Sequence, residues 1–196
     1  MANDVDGVIS ELEGVSEDVR NNFGRLSTEQ VNWKPAPDSW SVGQCIDHLI
    51  MSNEEFFPEL DKIVAGTRKN TLWQSWSPLS GIAGAFLVSS LKKDNQKVKT
   101  IEKMTPPSDI AGDIIEKFAD HQAALIGRLR STANTDWHRT VLTSPFVKIM
   151  TYRMDKGLDA VIEHEKRHVR QAKRVMLMDG FPKESETKQE AAEAKA

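Results

Sequence analysis

The sequence predicts an all-α fold built on four long helices. Three observations carry this. Four segments place apolar residues at three- and four-residue spacings, which is the mark of one buried helical face. Almost nothing alternates polar and apolar residues as a half-buried strand would. The last periodic segment runs into Asp179-Gly180-Phe181-Pro182, a glycine-then-proline ending that suits a helix C-terminus. At 196 residues the chain fills one core but is short for two. We therefore expect one domain over 1–182 and a charged, disordered or frayed tail over 183–196.

The first helix is expected from about Asp4 to Leu26, with Val5, Val8, Ile9, Leu12, Val15, Val19, Phe23 and Leu26 on one face. Ser27-Thr28-Glu29 offers a short capped turn, and Trp33-Lys34-Pro35-Ala36-Pro37 reads as a loop because proline disfavours helix in the residue before it. The second helix begins with Ser41 as N-cap and Gln44 at the capping-box position. Its stripe of Val42, Ile46, Leu49, Phe56, Leu60 and Ile63 carries it to about Ala65, with a kink at Pro58. The third is expected from Ser108, as N-cap, to about Leu129 through Ile110, Ile114, Phe118 and Leu125. The fourth spans about Thr151 to Met178.

Lys and Arg number 26 against 29 Asp and Glu, a net charge of −3, so the basic excess that neutralises phosphates is missing and nucleic acid is not an expected partner. The single Cys45 excludes an internal disulfide framework and fits a reducing, cytoplasmic setting. No basic head and apolar run open the chain as an export signal would. Between Lys69 and Lys92 there is no charge, but Pro78, Gly81, Gly84 and five serines dilute the apolar run. We read 70–95 as an insert packed on the bundle, with a lid as the second reading, rather than as a transmembrane span. Its apolar character makes a homodimer an expectation.

His164 and His168 stand four apart, so on a helix their rings leave one face and can converge on one ion. A third ligand is needed, and His48 beside the apolar stripe of the second helix is the candidate. Three neutral imidazoles suit zinc, nickel or a similar divalent ion and leave a position open. The spacing alone also fits a solvated pair, since Glu163, Glu165, Lys166 and Arg167 surround it. His121 and His138 have no partners at ligand spacing and read as surface or packing residues. Cys45 reads as a buried filler, and Trp33 and Trp40 as packing at the entry to the second helix.

Trp40-Ser41-Val42-Gly43-Gln44-Cys45-Ile46-Asp47-His48-Leu49, preceded by the tryptophan-proline loop, resembles the "WSxxExxxHL" signature of the DinB-like superfamily. His164-Glu165-Lys166-Arg167-His168-Val169-Arg170-Gln171 is similar to the fourth-helix pattern of the same superfamily. The resemblance covers residues 1–182, with the insert its least typical part. It implies a four-helix bundle with a long crossover between the second and third helices, and a divalent ion bound by His48, His164 and His168. It also implies a small-molecule substrate and a low-molecular-weight thiol, since relatives include S-transferases and isomerases that use bacillithiol, mycothiol or glutathione. Metal-dependent hydrolysis and non-catalytic metal binding are the alternatives, and the catalytic residues stay unassigned. Gln44 replaces an acidic residue found in several relatives, which weakens the hydrolase reading. Gln44 and Gln171 are candidates to orient an imidazole from outside the ligand set.

Overall fold

The computed structural model describes residues 4–69, 80–92, 102–147 and 149–183. The charged tail expected beyond 183 and the flanks of the insert lie outside these. Helix α1 spans Val5–Phe23, and Asp4 caps it by accepting from the Gly7 N–H at 3.0 Å. The short α2, Thr28–Asn32, is the capped turn expected at Ser27, with a capping box between Ser27 and Gln30. Helix α3, Val42–Glu54, starts at the Ser41–Gln44 capping box that the sequence predicts.

The second predicted helix does not run through Pro58 as a kinked rod. It divides into α3 and α4, Phe57–Val64. A proline ring meets the carbonyl four residues back, which here is Glu54, the last residue of α3. In the first turn of α4 the missing proline N–H costs nothing. Helix α5, Ser80–Leu91, lies in the insert and packs on the last helix and on the strand before it. A single 3-10 turn follows at Glu102–Met104.

Helix α6 occupies Ile114–Ser131, later than the Ser108 start predicted. The reason is Asn32, whose side chain donates to the Ile110 carbonyl and accepts from the Ile110 N–H, both at 2.8 Å. With both backbone groups of Ile110 engaged outside a helix, none can propagate through it. The final helix α7 is Met154–Met176, and the residues just before it form a strand rather than its first turn. β1, Val141–Thr143, pairs antiparallel with β2, Thr151–Arg153, in the register Leu142 to Tyr152. Leu142 and Tyr152 are buried, so this hairpin covers one end of the bundle.

Helices α1 and α3 each pack against both α6 and α7. These four form the bundle, and the crossover from α4 through α5 to α6 joins its halves. One core cluster around Phe23, Ile46, Leu49, Phe118 and Val169 lies between α1, α3, α6 and α7. A second, with Leu60, Leu129, Trp137, Tyr152 and Leu158, fills the hairpin end. No helix among the described residues is long and apolar enough to cross a membrane.

Candidate metal centre

His48 sits on α3 one turn past its capping box, and His164 and His168 lie one turn apart on α7. Because α3 packs along α7, the three rings meet, with centroids 5.1 Å apart for His48 and His164 and 4.6 Å for each other pair. One ring nitrogen from each lies within 4.8 Å of those of the other two. The Nε2 atoms of His48 and His164 are 3.3 Å apart. Two nitrogens bound to one tetrahedral zinc at about 2.0–2.1 Å would stand roughly 3.3 Å from each other, so the spacing fits a shared ion.

Protonation agrees with that fit. His48 Nδ1 lies 2.8 Å from the Met104 carbonyl, which can only accept, so Nδ1 carries the proton and Nε2 presents its lone pair to the cluster. Burial pulls His48 below the usual histidine range, against the bond to Met104. Burial, then His168, His48 and Arg167, hold His164 well below it. His168 falls to about 3 for the same first cause, with His48, Arg167 and Arg174 adding to it. Gln171 acts the other way on His168, yet it is not in hydrogen-bonding geometry to Nδ1, which is buried without a partner. Three neutral imidazoles, one of them with an orphaned buried nitrogen, form a donor set that suits a borderline cation.

Gln44 is not at the cluster. Its oxygen accepts from the Ser41 N–H and its amide donates to the Pro107 carbonyl at 2.9 Å, so it anchors the start of α3 to the crossover instead of orienting an imidazole. Cys45 is fully buried in the core, and burial pushes its thiol up to about 12, which makes it an inert filler. His121 is a buried packing residue against Phe57, and His138 lies beside Asp155 at 3.2 Å.

Trp40 does more than pack at a helix entry. Its ring is stacked on His168 at 5.7 Å and tilted on His48 at 4.9 Å, so it walls one side of the cluster. The sequence hint was its place one residue before the N-cap, which points it back over the first turns of α3. Ser52, one turn after His48, also reaches the site, with Oγ 3.4 Å from His48 Nε2. Neither the Met104 carbonyl nor this hydroxyl has a sequence signature.

Glu165, between the two α7 histidines of the cluster, turns the opposite way. It is wholly buried and accepts from Asn53 at 2.6 Å and from Gln122 at 2.9 Å. Burial raises its carboxyl to about 8 against those two bonds. It ties α3, α6 and α7 together behind the cluster.

A protein of Bacillus subtilis (strain 168) described as uncharacterized protein YuaE is 26% identical over 157 residues, which cover 79% of this chain and 88% of the relative. No solved structure gives a significant match. The family profile described as DinB superfamily matches residues 11–172, a span that includes the whole three-histidine cluster, and the chain therefore belongs to the DinB superfamily.

Proposed function

We propose that this protein is a small-molecule enzyme of the thiol-dependent S-transferase type, working with a divalent ion, zinc or nickel, held by His48, His164 and His168. The observation that carries this reading is the convergence of three neutral imidazoles from two helices. When bound, such an ion supplies Lewis acidity, which lowers the pKa of a thiol and gives a nucleophile near neutral pH.

The chain's own residues supply the rest. Met104 fixes the His48 tautomer, and Trp40 shields two of the rings from water. Three protein donors rather than four leave room for an exogenous ligand, as catalytic rather than structural sites do. A thiol suits the site better than hydrolysis because hydrolysis calls for a general base. No carboxylate among the described residues bonds to the three rings, and the adjacent Glu165 is committed to Asn53 and Gln122.

Elemental analysis of the untagged wild type and of a His164→Ala, His168→Ala double variant tests this. We expect about one equivalent of zinc or nickel in the wild type and none in the variant, as for a site that needs all its ligands. Metal-loaded wild type should then consume a low-molecular-weight thiol in the presence of an electrophile. Protein that takes up no metal on reconstitution would overturn the reading.

A further inference from the structure

Two other helical serines of this protein turn their hydroxyls back to the carbonyl four residues earlier. Ser16 donates to Leu12 O at 3.1 Å and Ser131 to Gly127 O at 3.0 Å. Ser52 on α3 behaves differently. It is only 3% exposed, and its hydroxyl lies against Nε2 of His48, its sole hydrogen-bonding partner among the described residues. Since Nδ1 of that ring is protonated toward Met104, Nε2 accepts and the Ser52 O–H donates.

This donor competes for the same lone pair that a cation would take. At 3.4 Å the bond is long and therefore weak, so the exchange is cheap. Once the lone pair is engaged elsewhere, a buried O–H is left without an acceptor, a condition proteins rarely tolerate. The hydroxyl rotor turns about Cβ–Oγ without any movement of the helix, and it lies beside the nitrogen around which the ion and its remaining ligand would gather.

We propose that Ser52 is the ligand-orienting residue of the site: with His48 Nε2 engaged by a cation, its hydroxyl donates to the lone-pair-bearing atom of a small anionic ligand, of which a thiolate is one, in the position the histidines leave open. The proposal rests on the three-histidine metal reading. Its chemistry is a hydrogen bond and no covalent change, so it acts on affinity and orientation of the exogenous ligand rather than on capture of the ion.

The test uses the full chain loaded with cobalt(II), whose visible bands report both metal uptake and a change in the ligand set, with azide as the anionic probe. Ser52→Ala should bind cobalt within about threefold of wild type, because the lost bond was one the ion has to displace, but should bind azide about tenfold more weakly, the loss of one hydrogen bond to a charged group. Ser52→Thr, which keeps the hydroxyl, should recover most of the azide affinity, and unchanged melting of metal-free Ser52→Ala would show that the fold is intact. Equal azide affinity in wild type and Ser52→Ala would overturn the proposal alone, as would loss of cobalt from Ser52→Ala. Wild type that binds no cobalt would instead overturn the metal reading, and this proposal with it.

Discussion

His121 shows how one side chain can set a pH limit on the fold. Its ring stacks on Phe57 with centroids 5.0 Å apart and planes within 7°, and Arg128 lies over the same Phe57 ring at 4.0 Å. Burial, and secondarily Arg128, bring His121 down to about 4, and its Nε2 is buried without a partner. An unfolded histidine takes its proton near pH 6.5, so between there and pH 4 the unfolded chain binds more protons than the folded one. Stability therefore falls as pH falls through that window. His121→Phe should lose about 2 kcal/mol less than wild type between pH 7 and pH 4, after allowance for partial solvent access. Urea melts at the two pH values measure this, and parallel losses in both proteins would refute the assignment. The site histidines respond in the same direction in both proteins, so the difference isolates His121.

At the scale of the elements, α3 is placed by the closeness of its first turn to its neighbours. A Cβ on Gly43 would stand 2.6 Å from Val31 Cγ1 and 3.0 Å from Ile110 Cβ and Cγ2. Alanine would gain about 1 kcal/mol of helix propensity. The clash involves two branched side chains in a packed core, and overpacking of that kind costs about 1–3 kcal/mol, so the penalty is expected to win. Gly43→Ala should lower the melting temperature, and a rise would mean that α2 and the Ile110 segment yield easily. These contacts also explain what the sequence made legible. Helix starts marked by side-chain caps at Ser27 and Ser41 were readable because the signal is local, and that of α1 because its apolar period begins there. The start of α6 was not, because Asn32 decides it from 78 residues away. The hairpin escaped because three-residue strands are too short for a period to show. The three converging histidines could be found from spacing and motif, whereas the places of Trp40, Ser52 and the Met104 carbonyl depend on which helices touch.

Across the whole molecule, the chain just beyond α7 is fastened to α2 and to Trp33 at its end. Gln30 donates to the Pro182 carbonyl at 2.9 Å, Phe181 meets Trp33 edge-on at 5.5 Å, and Gly180, at φ +87°, makes the reversal that brings them there. The helix that carries two of the three clustered histidines is thus pinned beyond its last turn. Phe181→Ala should cost about 1–2 kcal/mol, mostly the half-buried ring contact, while leaving the helical circular dichroism signal nearly unchanged. An unaltered melting temperature would show the fastening to be incidental. The cluster itself has a consequence in the order of synthesis. His48 and His164 are separated by 116 residues of sequence, so at ordinary translation rates of about 5–20 residues per second the first imidazole waits roughly 6–23 s for the second. Throughout that interval the nascent α3 offers a single histidine, which holds no ion firmly. Capture of the proposed ion would therefore be a late event of biogenesis, and the cluster distinguishes a finished bundle from a partial one.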